Sequence, residues 1–158
     1  MAEPLADWVI ERIGQAAELY HRLVMLVAPA GSGKTVALQE VHKRTAAALV
    51  NVNLELSRGM LDLTSRQRAL QLPRLLAEIV GASAADVVLL DNLEVLFDVS
   101  LKQDPLRLLQ GLSRNKTVVA AWSGSIDGEY VVYATPDHPE YKRYPLRDFL
   151  VVNPEAVA

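Results

Sequence analysis

The 158-residue sequence contains no cysteine, which excludes disulfides and thiolate metal sites and makes a reducing cytoplasm the expected location. It has no excess of basic charge. Sixteen Lys and Arg stand against 19 Asp and Glu, the net charge is −3 and the pI is near 5.6, so no global field attracts nucleic acid. No apolar run reaches the ~18 residues that a membrane-spanning helix needs, and no membrane contact is expected. Met1-Ala2-Glu3-Pro4 lacks the basic start of a signal peptide. Repeats and low-complexity tracts are missing too. His42 and His138 share no metal-ligand spacing with other histidines, so no transition metal is expected. What the chain does have is apolar residues, 51% of the total, with a mean hydropathy of +0.14. That is enough for a substantial core, and high enough to point to a buried contact with another chain. The length fits one domain, residues 1–158, in which 1–22 form an N-terminal helix packed on the core.

The densest signal lies at Leu23-Val24-Met25-Leu26-Val27-Ala28-Pro29-Ala30-Gly31-Ser32-Gly33-Lys34-Thr35. An apolar run enters a small-residue loop that ends in Gly-Lys-Thr, and a helical pattern follows. This is the strand, loop and helix order of a phosphate-binding P-loop. Gly31 and Gly33 permit positive φ and a close approach of backbone to oxygen. Loop amides and the helix N-terminus suit a di- or triphosphate anion. Lys34 is a point charge for the β- and γ-phosphates, and the Thr35 hydroxyl is a ligand for Mg²⁺. Residues Pro29, Ala30, Gly31, Ser32, Gly33, Lys34, Thr35 and Val36 form the expected nucleotide-binding set for ATP or ADP. The strict pattern opens with Gly, where this chain has Ala28. The plainer alternative is an ordinary glycine-rich turn.

The rest of the chain alternates strand and helix patterns. Leu5 to Arg22 reads as an amphipathic helix, Leu23 to Ala28 as a strand covered on both faces, and Lys34 to Ala47 as the helix after the loop. Ala48 to Leu54 reads as a strand. Ser57 to Gln71 reads as helical, with Pro73 at a break or kink before Arg74 to Val80, and Gly81 ends that element. Asp86 to Asp91 is a buried strand. Asp104-Pro105 reads as an N-cap and first helical residue opening Leu106 to Leu112. Thr117 to Trp122 is a strand, and Ser123 to Gly128 a turn-rich loop. Tyr130 to Ala134 and Phe149 to Val152 are both β-prone, and either suits the last strand of the sheet. The expected fold is α/β, a three-layer P-loop NTPase sandwich with a mainly parallel central sheet.

Val87-Val88-Leu89-Leu90-Asp91 carries the second half of the site. A buried strand beside the P-loop strand would deliver the Asp91 carboxylate to the Mg²⁺ shell, so Thr35 and Asp91 are the expected metal ligands. The alternative is a strand-terminal Asp that caps a turn. ATPases of the AAA+ kind usually place Glu directly after this Asp to orient water. Here the residue is Asn92, which can hydrogen-bond water but cannot act as a base. Glu94 is the next acid and is either the water-orienting group or a solvated helix residue. Ser123, past the end of the Trp122 strand, stands where a polar sensor of the γ-phosphate would sit, or is a turn serine. Asn51 and Asn53 either reach the site or cap a turn. Lys142-Arg143 and Arg147 form the notable basic cluster of the C-terminal part. One of them is either an arginine finger for a neighbour's nucleotide or part of a solvated charge cluster.

Four segments together resemble the BrxF family of small P-loop proteins from BREX phage-defence systems. They are Leu90-Asp91-Asn92-Leu93-Glu94-Val95-Leu96-Phe97-Asp98, Leu112-Ser113-Arg114-Asn115-Lys116-Thr117-Val118-Val119, Trp122-Ser123-Gly124 and His138-Pro139-Glu140-Tyr141. The resemblance spans nearly the whole chain. It implies an AAA+-like ATPase serving a multi-protein complex that blocks phage replication and marks host DNA by methylation. Lys34, Thr35 and Asp91 match the family's nucleotide motifs, and Tyr141-Lys142-Arg143-Tyr144 resembles a basic-aromatic segment of it. Ser123 stands where relatives often carry Asn.

The expected function is therefore an ATP-binding and ATP-hydrolysing subunit. Lys34, Asp91, Glu94, Ser123 and Arg143 are the candidate catalytic residues, and ATP and Mg²⁺ the cofactors. Self-association or docking with other BREX proteins is expected, with any DNA contact made through the complex. No stretch after the last strand is long enough for the helical lid of many AAA+ proteins, so the site is expected to be open or completed by another subunit. Two rivals remain. A nucleotide-dependent interaction module with little hydrolysis shares every binding residue and is favoured by Asn92. A small-molecule kinase would want an Arg-rich lid, which Leu101 to Arg114 does not offer.

Overall fold

The computed structural model describes residues 2–154. In chain order the elements are α1 (Ala2–Ala16), β1 (Leu23–Ala28), α2 (Lys34–Arg44), β2 (Ala48–Asn51), α3 (Val52–Met60), α4 (Ser65–Gly81), β3 (Val87–Asp91), α5 (Pro105–Leu112), β4 (Thr117–Ser123), β5 (Ser125–Asp127), β6 (Tyr130–Tyr133), β7 (Lys142–Pro145) and β8 (Leu150–Val152). Two short 3₁₀ turns, Leu93–Phe97 and Val99–Leu101, separate β3 from α5.

Every residue of β1 is buried, because it lies inside a parallel sheet covered on both faces. The sheet has five strands in the order β2-β3-β4-β1-β8, all parallel. Alternate side chains of β1 go to opposite faces. Val24 and Leu26 meet Leu5 and Val9 of α1 and Leu38 and Val41 of α2. Leu23, Met25 and Val27 join the core made by Leu56 of α3, Leu72 and Leu76 of α4 and Leu109 of α5. The fold is α/β with a parallel central sheet and helices on both faces.

Several boundaries differ from expectation, each for a local reason. The first helix stops at Ala16 and not at Arg22. Arg22 N donates to Ser113 O, and Arg22 O accepts from Val118 N, so Arg22 is already tied to the β4 side of the molecule. The second helix ends at Arg44, with three basic residues in its last turn, where the helix dipole favours them. Strand β2 stops at Asn51, whose side chain accepts from Leu54 N and caps α3. The helical stretch expected over 57–71 is two helices. The break falls at 61–64, where Thr64 and Gln67 form a capping box that opens α4. Pro73 does not break α4. Its missing N–H frees the carbonyl of Ala69, and the Gln103 side-chain amide donates to that oxygen at 2.7 Å.

The last strand of the central sheet is β8, which pairs with β1. Tyr130–Tyr133 belongs instead to a second, antiparallel sheet of order β5-β6-β7. Part of the loop expected at 123–128 is thus strand β5. Gly124 makes the step from β4 into β5 possible. A Cβ there would lie 2.0 Å from the carbonyl oxygen of Val132.

Candidate functional site

The carboxyl ends of β1, β4 and β3 open into a cleft of about 950 Å³. The expectation that the Asp91 strand lies beside the P-loop strand needs correction. Strand β4 lies between them, so β1 and β3 are two strand spacings, roughly 9–10 Å, apart. Helix α2, which packs on both β2 and β3, spans that gap. Its first turn delivers Thr35 to Asp91, and Thr35 Oγ1 donates to Asp91 Oδ2 at 2.7 Å. The other carboxylate oxygen accepts from Asn92 N at 2.9 Å. Asp91 is buried at the strand end with both oxygens held.

The loop before α2 follows from its sequence. Gly31 and Gly33 adopt φ of +77° and +95°, in the left-handed region that glycine favours. Ala28 needs no such freedom, because it is the last residue of β1 and pairs with Ser123 in the sheet. Its carbonyl accepts from Gly124 N at 3.1 Å. Gly33 caps α2 without a side chain, and no acid occupies the first helical turn. The free amides and the positive end of the dipole therefore face the cleft with nothing negative from α2 beside them. Ser32 Oγ donates to Pro29 O within the loop.

Lys34 is buried, and its ammonium rests on the carbonyls of Ala28 at 3.0 Å and Pro29 at 2.8 Å. Burial lowers its pKa from the usual lysine value, against the opposing pull of the Glu94 and Asp91 carboxylates. A buried cation next to unpartnered helix amides is a donor set for an anion carrying several charges. Among the described residues, no group of three or more His, Cys, Asp or Glu is placed to hold a metal. Thr35 and Asp91 fit a Mg²⁺ that arrives with phosphate oxygens and water, which is how this ion is usually held.

Glu94, exposed on the 3₁₀ turn after β3, lines the same cleft. Asn92 takes a left-handed conformation at φ 58°, one of the few side chains that does so at low cost. The sharp turn there gives Asn92 a structural reason to follow Asp91. Ser123, at the end of β4, is half-buried and also lines the cleft. Pro29, Ala30 and Val36 complete the loop side. Asn51 is an N-cap, and Asn53 is exposed in the first turn of α3, so neither lines the cleft. Arg143 does not line it either. It is exposed on β7 with its guanidinium 3.4 Å from the centre of the Tyr130 ring.

The opposite wall comes from β6 and the loop after it, with Tyr133, Thr135, His138 and Glu140. Sequence reasoning did not place these residues at the site. A short antiparallel hairpin carries no phosphate-binding motif, and only the folded β6–β7 pair brings 133–140 over the loop. Tyr133 is pushed up to about 12 by burial, then by the charges of Glu94 and Glu140, so its hydroxyl keeps its proton. No family model matches the chain, and no curated protein and no solved structure gives a significant match to it.

Proposed function

We propose that this chain is a P-loop NTPase with an AAA+-like core that binds Mg·ATP in the cleft and hydrolyses it. The observation that carries the reading is the 2.7 Å contact between Thr35 and Asp91 beside the buried Lys34. Two residues chosen from sequence as Mg²⁺ ligands, far apart in the chain, meet at the mouth of the loop chosen as the phosphate site. The parallel sheet adds support, since the carboxyl ends of β1, β4 and β3 open into one cleft that holds the loop and Asp91.

In this reading the amides of residues 30–35 bind the phosphates. Lys34 exchanges the Ala28 and Pro29 carbonyls for phosphate oxygens. Thr35 and Asp91 would hold Mg²⁺, which would supply charge neutralisation at the phosphate oxygens. Glu94 orients the attacking water and takes its proton, and Ser123 donates toward the γ-phosphate. The sequence resemblance supports a role as the ATPase subunit of a BREX-type defence complex. A second reading, a nucleotide-dependent interaction module with little hydrolysis, is favoured by Asn92 in the place of Glu.

A phosphate-release assay, run alone and with candidate partner proteins, separates the two. Hydrolysis predicts measurable release that falls by roughly 10²-fold or more in Glu94→Gln, with nucleotide affinity kept. Release from Glu94→Gln at the wild-type rate would show that the water is oriented by another group. No release from the wild type, with nucleotide affinity intact, would establish the interaction module instead.

A further inference from the structure

Glu94 and Phe97 are three residues apart on the same 3₁₀ turn. Such a helix has three residues per turn, so Phe97 lies one turn beyond Glu94 on the same short element. Phe97 is buried and held on two sides. Tyr133 stacks on it with ring centroids 3.6 Å apart and planes 9° from parallel, and Trp122 meets it edge-on at 5.0 Å. Glu94 is exposed, and among the described residues it makes no hydrogen bond or salt bridge. An exposed glutamate keeps its rotamers, and the turn sets where and in which direction its side chain leaves the backbone. Whatever fixes the turn therefore fixes the point from which the carboxylate reaches into the cleft. Tyr133 lines the same cleft, and its phenol lies in the field of Glu94 and of Glu140.

We propose that Tyr133 is a positioning residue for Glu94, bracing the 3₁₀ turn that carries it through the stack on Phe97. The proposal rests on the reading that Glu94 orients water. It gives the β5-β6-β7 sheet a task at the site, since β6 carries the brace. A small displacement of a water-orienting group lowers the rate steeply, on the order of 10²-fold for 1 Å.

Hydrogen exchange of the nucleotide-free chain reads the brace directly. Tyr133→Leu is expected to speed exchange across 93–97 by about tenfold while β1 and β4 stay protected, and Tyr133→Phe to exchange like the wild type. Kinetics read the consequence. Tyr133→Leu is expected to lower kcat by roughly tenfold to a hundredfold at unchanged KM, and to lose that effect in a Glu94→Gln background, with Tyr133→Phe restoring most of the turnover. Unchanged exchange at 93–97 in Tyr133→Leu overturns the proposal alone. So does an equal loss of kcat in both backgrounds, because a general structural defect acts without Glu94. A wild type that hydrolyses no ATP, or a Glu94→Gln variant with full turnover, overturns the reading of Glu94 and the positioning role with it.

Discussion

Thr35 and Asp91 are 56 residues apart in the chain and in hydrogen-bond contact in space. A hydroxyl and a carboxylate form a pair of hard oxygen ligands, and an amide in place of the carboxylate is a much poorer Mg²⁺ ligand. Asp91→Asn is therefore expected to keep the contact with Thr35 but to weaken Mg²⁺-dependent nucleotide affinity about tenfold or more. Titrations with and without Mg²⁺ check this, and an unchanged Mg²⁺ dependence would contradict it. Lys34 and Thr35 were legible as parts of one loop because loop chemistry is local, and Asp91 as the acid ending a buried strand, but β4 lying between the two strands was not. Each residue type has one task at one spacing. Glu94 was half legible: its acid was visible, but the turn that aims it depends on how Asn92 leaves β3. Tyr133, Thr135, His138 and Glu140 were not legible, since no local pattern says that a hairpin folds over the loop.

Pro73 shows the same division among the elements. Its position in the sequence reads as a helix break, because proline removes the N–H that would bond four residues back. The remedy lies outside the helix, in Gln103, whose amide reaches both Ala69 O and Leu101 O at 2.7 Å. No sequence pattern links 73 to 103. Gln103→Ala is expected to cost about 1 kcal/mol of stability, and less in a Pro73→Ala background, where the helix N–H is restored. Chemical denaturation of the four chains of that double-mutant cycle measures the coupling, and equal costs in both backgrounds would contradict it. Gly124 is a sharper case. Gly124→Ala drives a Cβ into the Val132 carbonyl and is expected to destabilise the fold by about 3 kcal/mol or more. A thermal midpoint unchanged from the wild type would refute that. Strand β1 and helix α5 were legible because an unbroken apolar run and an Asp-Pro cap specify them locally. Strands β5 and β7 were not. They are three and four residues long, and Lys142-Arg143-Tyr144-Pro145 reads as a surface charge cluster.

For the whole molecule, the proposed reading joins an open phosphate cleft to a surface with exposed apolar side chains, among them Leu61, Leu70 and Tyr20. ATP is expected to promote self-association or docking onto a partner ATPase. Arg143 lies outside its own chain's cleft, and it is the first candidate for a contact with a neighbour's γ-phosphate, with Arg147 second. Loss of a trans-acting arginine is expected to lower turnover about 10³-fold while sparing nucleotide binding. Light scattering with a non-hydrolysable analogue, and activity of Arg143→Ala mixed with Lys34→Ala, check this. Full activity of a strict monomer, or of the Arg143→Ala, Arg147→Ala double variant, would rule out the shared site. All of this depends on whether the cleft takes a magnesium nucleotide. The most direct measurement is calorimetric titration of Mg·ATP into the wild type and Lys34→Ala. Removal of the Lys34 ammonium deletes a charge-assisted contact of about 1.5–3 kcal/mol, so affinity is expected to fall tenfold or more. Equal affinity of the two proteins, or no heat from the wild type, would contradict the account.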